Sequence, residues 1–391
     1  MIVRDISIRE IFSHNLKSTI EVEVEISKGK VRASVPIGTS KGKYEVVNLP
    51  TEKVIENFLR IKDEFKMKEF KTFEEVEQVI QKYDDTPNLE KIGGNLALGI
   101  SLAMIKAFAL HEDLEVFEYV SDHFGEKVKI PKPVCNVIGG GKHFGGSDFQ
   151  EFLLIAKSPY FKEEIKKIIN AYFRIAEILK IEDRKFNFGR NIESAWITNL
   201  STKKILEILD KFSIDLLLGI DVAASSFYDA EKNLYVLEKE GLEMNRIEYL
   251  TYLFDLVSES RIFYIEDPFH EDDFVSFSTF YSHFSQKLIV GDDLIATNIE
   301  RLKKAVELKS VNAVIVKPNQ VGLISRVAEL VRFAKKNDIK LVFSHRSGET
   351  EDPIISHLAV GFGADYIKLG IAGERTVKIN EMLRIEEKLL G

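Results

Sequence analysis

The sequence predicts an α/β protein of two parts, a small N-terminal α+β domain followed by an eight-stranded barrel. Two observations carry that expectation. Residues 1–50 alternate apolar and polar side chains as strands do, whereas residues 51–125 repeat apolar side chains at helical spacing. Farther on, six short apolar runs, DLLLGID, RIFYIED, KLIVGDD, AVIVKP, KLVFSH and ADYIKLG, each end in one ionisable residue, with room for a return helix between most of them. That is the rhythm of a parallel barrel, whose strands deliver their C-terminal ends to one face. The terminal residues are Asp221, Glu266, Asp292, Lys317, His345 and Lys368.

In chain order, IVRDISIREIF, TIEVEVEIS and KVRASVPI read as three strands. TEKVIENFLRIKDEF, FKTFEEVEQVIQKYDD and NLALGISLAMIKAFALHEDL read as helices, which closes the first domain at 1–125. EKVKIPK, residues 126–132, carries charge and a proline and reads as a linker to the barrel at 133–391. PVCNVI and FQEFLLIA are two strands flanking the glycine-rich stretch GGGKHFGGSD, and KEEIKKIINAYFRIAEILK and STKKILEILDKF are two helices. The six strand–helix units follow; in one of their helices Ile324, Val327, Leu330, Val331 and Ala334 form an apolar stripe. Two strands plus six suffice to close a barrel.

Composition narrows the function. Hydrophobic content of 45% with 30% charged residues is that of an ordinary globular protein. A net charge of −8 argues against a general nucleic-acid binder. The single cysteine, Cys135, excludes an intramolecular disulfide and a thiolate metal cluster, and its apolar surroundings suit an inert thiol. The N-terminus lacks the apolar core of a signal peptide, and no run is expected to span a membrane, so a cytoplasmic location is expected.

Three carboxylates, two lysines and a histidine on one rim are too much buried charge for a purely structural role. Asp221, Glu266 and Asp292 come from successive strands and form an all-oxygen set suited to Mg²⁺ or Mn²⁺ rather than zinc. Lys317 lies at the next strand end, where neighbouring cations would disfavour its ammonium form and make it a general base. His345, Arg346 and Ser347, beside a glycine, suit a phosphate or carboxylate, and Lys368 suits a second anionic group. The loops PIGTSKGKYE and GGGKHFGGSD are expected to close over a ligand and to turn Ser40, His143, Gln150 and Glu151 inward. These features describe a metal-dependent enzyme acting on a small phosphorylated carboxylic acid.

With these residues assembled, the chain resembles enolase over nearly its whole length. The matching pieces include VPIGTSKGKYE, NLALGISLAMIKA, PVCNVIGGGKHFGG, GIDVAASSFYD, IEDPFHEDD, VGDDLIATN, VKPNQVG and SHRSGETED. The resemblance implies a modified TIM-like (β/α)₈ barrel of order ββαα(βα)₆. It implies Asp221, Glu266 and Asp292 as ligands of one Mg²⁺, with a second Mg²⁺ arriving with substrate near Ser40. Lys317 would then remove the proton α to the carboxylate of 2-phosphoglycerate, and the metals would stabilise the resulting aci-carboxylate. Lys368 would hold the carboxylate, Arg346 and Ser347 the phosphate, with His143, Gln150 and Glu151 lining the pocket. A homodimer or higher homo-oligomer is also implied.

The sequence departs from the family where the catalytic Asp-Glu-Gly-Gly run is expected. There it reads NFGRNIESAW, which sets Arg190 and Asn191 in place of the two acids. Asn191 cannot serve as a carboxylic acid, and Glu193 is the residue a rebuilt loop would bring in instead. HNLKST (His14–Thr19) replaces a glycine- and proline-containing segment, and Lys41 and Phe144 change charge and volume in the two loops. Two other readings therefore stand beside 2-phosphoglycerate dehydration: a diverged paralogue that enolises another phosphorylated or dicarboxylic acid, and a non-catalytic binding or scaffold protein.

Overall fold

The computed structural model describes residues 1–38, 42–141 and 146–391. Its first domain is an antiparallel sheet of Ile2–Phe12, Ser18–Ile26 and Gly29–Ser34, to which the two-residue strand Lys68–Glu69 adds on the far side of the first strand. Ile20, Val22, Val24 and Ile26 are buried on the middle strand, as period-two alternation requires. Helices Thr51–Ile61, Phe73–Tyr83, Gly94–Glu112 and Val116–Phe124 complete the domain, the last of them not foreseen from the sequence.

Gly94–Glu112 corrects one expectation. By length and composition it is a helix apolar enough to cross a membrane, yet 78% of its apolar window is buried inside the protein. It is apolar on nearly every face because it packs on the sheet on one side and on barrel elements after Lys317 on the other.

The barrel closes with eight strands: Lys132–Gly139, Glu151–Ile155, Leu217–Asp221, Ile262–Glu266, Leu288–Gly291, Ala313–Val316, Lys340–Ser344 and Tyr366–Lys368, the last pairing back onto the first. Helices Phe161–Glu182 and Thr202–Asp210 follow the second strand, so the order is ββαα(βα)₆. The strands do not all run one way, as the rhythm alone suggested. Glu151–Ile155 is antiparallel to both neighbours, with Glu151 opposite Asp221 and Val134 opposite Ile155. It follows the first strand through a glycine-rich loop with no crossover helix, and only an antiparallel return permits that. Its N-terminal residue thereby reaches the rim where the other strands end. Lys132 opens the first barrel strand inside the stretch read as linker. The longest interval, Asp221 to Glu266, holds a small antiparallel sheet, Tyr228–Asp229, Leu234–Leu237 and Leu242–Met244, which the strand rhythm does not disclose.

Val134, Leu153, Ile155, Tyr264, Val290, Ile315 and Val342 fill the barrel interior. Cys135 is fully buried, and burial pushes its thiol well up, as expected of an inert cysteine.

Buried polar contacts join the two domains. Glu77, 3% exposed, accepts hydrogen bonds from the backbone N–H groups of Ile324 (2.8 Å) and Ser325 (3.3 Å) and from the Ser101 hydroxyl (3.2 Å). It caps helix Ile324–Lys336, whose own N-cap residue, Leu323, offers no side-chain acceptor. Lys106 Nζ donates to both oxygens of Asp352 at 2.7 Å, and Asp352 also accepts from the Ser34 N–H. Replacing Glu77 with Ala orphans these donors and should cost about 2 kcal/mol. The thermal midpoint should fall by roughly 3–8 °C, and an unchanged midpoint would contradict the capping role.

Candidate active site

Asp221 and Glu266 end their strands, Asp292 follows Gly291, and Lys368 ends the last strand. All four are at least nine-tenths buried. Lys368 Nζ lies 2.9 Å from Asp221 Oδ2, 2.9 and 3.0 Å from the Glu266 oxygens, and 2.9 Å from Glu151 Oε2. The Tyr264 hydroxyl donates to Glu266 at 2.6 Å, and Gln150 Nε2 donates to Asp221 at 3.4 Å. Burial, then the Asp221 charge, raises Glu266 to about 8 despite Lys368. Burial likewise holds Glu151 well above the carboxylate range, with Lys368 opposing and Glu193 and Asp221 adding to the rise. For Lys368 burial pulls down, but Asp221, Glu151 and Glu266 together hold it well above an ordinary lysine.

Lys317 forms an ion pair with Asp292 Oδ2, while Asp292 Oδ1 is buried with no hydrogen-bond partner among the described residues. Burial opposes ionisation of Asp292, yet the Lys317 charge and hydrogen bond keep it below the usual range. Burial, Arg346 and Lys368 do push Lys317 down, but the Asp292 carboxylate outweighs them and holds it up.

Two further acids belong to this rim, and the doubled acids of IEDP and VGDD were the signal for them. Asp267 adopts a φ of 41° and accepts from the N–H groups of Asp292 (2.9 Å) and Asp293 (2.6 Å), shaping that turn. One oxygen each of Asp267, Asp292 and Asp293 lie within 4.8 Å of one another. Burial and neighbouring charges raise Asp293 to about 7 and Asp267 well above its ordinary value.

Above these acids opens a basin of about 430 Å³, lined among the described residues by eight Asp and Glu side chains against four Lys and Arg. Its cationic wall is the turn after strand Lys340–Ser344, where His345, Arg346 and Ser347 are all buried. The Arg346 guanidinium lies 3.4 Å from Glu45 and so close over Gly38 that a Cβ there would meet it at 1.8 Å. Residues far away in sequence hold this turn. Arg375 donates to the carbonyls of Arg346 (2.8 Å) and Ser347 (3.2 Å), Glu349 accepts from the Arg346 N–H, and Lys378 pairs with Glu349 at 2.9 Å. Ile37 and Gly348 exchange two backbone hydrogen bonds of 2.8 Å, joining the first loop to the turn. His345 is pushed well down, by burial and then by Arg375, and is therefore a neutral imidazole at pH 7. Sequence reasoning missed Glu45, Glu349, Arg375 and Lys378. Ser40 and His143, with Lys41 and Phe144, lie outside the described residues.

The NFGRNIESAW stretch is the principal correction. Asn191 does not face the basin as a failed acid. It is buried, its Oδ1 accepts from the Glu193 and Ala195 N–H groups at 3.0 Å each, and it packs over Gly139, where a Cβ would meet its Nδ2 at 2.1 Å. This side-chain turn presents Glu193 to the basin, where its carboxyl and that of Glu151 are hydrogen-bonded and Asn136 Nδ2 donates to it at 3.4 Å. Arg190 faces elsewhere. Its guanidinium lies 4.7 Å from the Trp196 ring centroid, in a surface hollow with Phe173 and Phe188. It does not add charge to the basin.

Comparison with known proteins agrees with this geometry. The family profile described as "Enolase, C-terminal TIM barrel domain" matches residues 127–391, and "Enolase, N-terminal domain" matches residues 3–120. Among curated relatives, the chain is 38% identical to the enolase of Picrophilus torridus, covering 99% of both chains. It is 36% identical to that of Methanosphaera stadtmanae, over 100% of this chain and 98% of the relative. It is also 36% identical to that of Pyrobaculum aerophilum, over 100% and 97%.

Asn191→Ala removes the acceptor for two backbone donors in the turn that carries Glu193. Urea denaturation should show a loss of about 2 kcal/mol; a variant as stable as the parent would show that the turn forms without it.

Proposed function

The chain belongs to the enolase family, and on that premise we propose a division of labour for its residues in dehydrating 2-phosphoglycerate to phosphoenolpyruvate. The observation that carries it is the single basin that brings Lys317, Lys368, the Glu151–Glu193 pair and Asp221 and Asp292 together, with Glu266 directly beneath Lys368. Lys317 takes the proton α to the carboxylate, and that electron pair forms the new double bond. The β-hydroxyl departs as water, carrying a proton from Glu193, whose hydrogen bond to Glu151 keeps a proton available on that wall. Arg346 and Ser347 hold the phosphate and Lys368 the carboxylate, with His345 and Gln150 lining the site.

The acid set fits Mg²⁺. Its donors are all oxygen, its charge exceeds what the nearby lysines neutralise, and Asp292 Oδ1 is buried without a partner among the described residues. Asp221, Glu266 and Asp292 would hold one ion, with a second accompanying substrate. Bound there, Mg²⁺ supplies stabilisation for the negative charge that builds on the substrate carboxylate. With Asp292 and Glu266 committed to a cation, burial, Arg346 and Lys368 are the chief influences left on Lys317, and all three favour the neutral amine a base requires.

We place the protein in the cytoplasm as a homodimer or higher homo-oligomer, acting without nucleic acid or membrane. A diverged paralogue and a scaffold are not favoured. The relatives named above match over the full length, and two of the departures that suggested other chemistry resolve into a turn-forming Asn191 and an outward Arg190, while Lys41 and Phe144 lie outside the described residues.

The test follows dehydration and α-proton exchange together, with 2-phosphoglycerate and Mg²⁺ in D₂O. Lys317→Ala should abolish both. Glu193→Gln should slow dehydration by about 10²–10⁴ while exchange persists, and Arg190→Ala should stay within about twofold of the parent. Exchange surviving in Lys317→Ala would place the base elsewhere.

A further inference from the structure

His14 sits at the turn between the first two strands of the N-terminal domain, outside the basin lining. The turn is fixed: the Ser13 N–H donates to the Lys17 carbonyl at 2.9 Å, the Ser13 hydroxyl donates to the same carbonyl and to Asn15 Oδ1, and Leu16 takes a φ of 60°. From it the His14 ring reaches both walls of the active site. Nε2 lies 3.1 Å from the carbonyl of Ile192 and 3.4 Å from Glu374 Oε1, and Nδ1 lies 3.4 Å from the carbonyl of Glu349. The His14 N–H donates to that same Glu349 carbonyl at 2.9 Å. Among the described residues both ring nitrogens face oxygens, and Nε2 makes the shorter contact, so the tautomer with hydrogen on Nε2 donates to the Ile192 carbonyl.

Ile192 is the residue before Glu193. We propose that His14 is a positioning residue for the hydroxide-expelling side of the reaction, holding the Ile192 peptide so that the Glu193 carboxyl keeps its place beside Glu151. This role rests on the assignment of Glu193 as general acid above. The two walls depend on His14 unequally. The turn carrying Arg346 has other anchors in Arg375, Lys378 and Ile37, so substrate binding does not require His14. The Glu193 loop is fixed from behind by Asn191 and by the Tyr172 hydroxyl, which donates to the Ser194 carbonyl at 2.6 Å. Among the described residues, His14 ties it by a hydrogen bond to the N-terminal domain and also faces Glu374. A displacement of about 1 Å at a proton-transfer group costs on the order of a hundredfold in rate.

The experiment compares the full-length parent, His14→Ala and His14→Gln with 2-phosphoglycerate and Mg²⁺, reading kcat and KM for dehydration and α-proton exchange in D₂O. In His14→Ala, kcat should fall by roughly ten- to a hundredfold while KM and exchange stay within about twofold. His14→Gln, whose amide can still donate to the Ile192 carbonyl, should recover most of that loss, and it serves alone if the alanine variant does not fold. Unchanged kcat in His14→Ala would overturn the role, as would exchange and dehydration falling together, or His14→Gln no better than His14→Ala. If the parent dehydrates 2-phosphoglycerate and Glu193→Gln does not slow it, the general-acid assignment fails instead. A parent that neither exchanges nor dehydrates would overturn the reaction assignment itself, and this role with it.

Discussion

Lys368 is the interaction on which the rest of the site depends. Its ammonium lies within 3.0 Å of carboxylate oxygens from three different strands, at a position 4% exposed. Acids gathered this closely repel one another and lose their hydration, so they can coexist in the folded state only beside cations or as neutral acids. The rim uses both solutions. Lys368 and Lys317 neutralise part of the charge, and burial keeps Glu266, Glu151 and Asp293 above the ordinary carboxylate range. The remaining imbalance is what a hard divalent cation and a substrate bearing both carboxylate and phosphate would answer.

The fold meets this demand through one irregularity and one partnership. The irregularity is the antiparallel second strand, which sets Glu151 opposite Asp221 and beside Glu193. In an all-parallel barrel the N-terminal end of that strand would lie at the opposite face. The partnership is with the N-terminal domain, which does more than cover the mouth. Glu77 caps the helix after Lys317, Lys106 pairs with Asp352 beyond the Arg346 turn, Ile37 pairs with Gly348, and His14 reaches the Glu193 loop. Each contact comes from one domain and ties it to a segment of the other that leads to the basin.

Much of this was legible in the sequence because strand ends are local signals. Asp221, Glu266, Lys317 and Lys368 each follow a short apolar run, and that is enough to bring them to one rim. What failed to show depended on conformation or on distance along the chain. Asn191 reads as a lost acid when the loop is matched residue by residue. Its side chain replaces backbone in a turn, and that shifts the carboxyl to Glu193. Arg375 and Lys378 leave no local trace, since their partners at Arg346, Ser347 and Glu349 lie on another element. The place of Lys317 was legible at its strand end, but the ion pair that raises it was not, because its partner, Asp292, is also a member of the acid set.

We propose that Asp221, Glu266 and Asp292 form one site for a hard divalent cation. The most direct measurement is the thermal midpoint of the parent protein and of Asp292→Ala as Mg²⁺ is titrated, without substrate. A ligand that binds only the folded state raises the midpoint in proportion to the logarithm of its concentration above Kd. The parent should show that rise, and Asp292→Ala should stay folded and show none. An equal Mg²⁺-dependent rise in both proteins would contradict the claim.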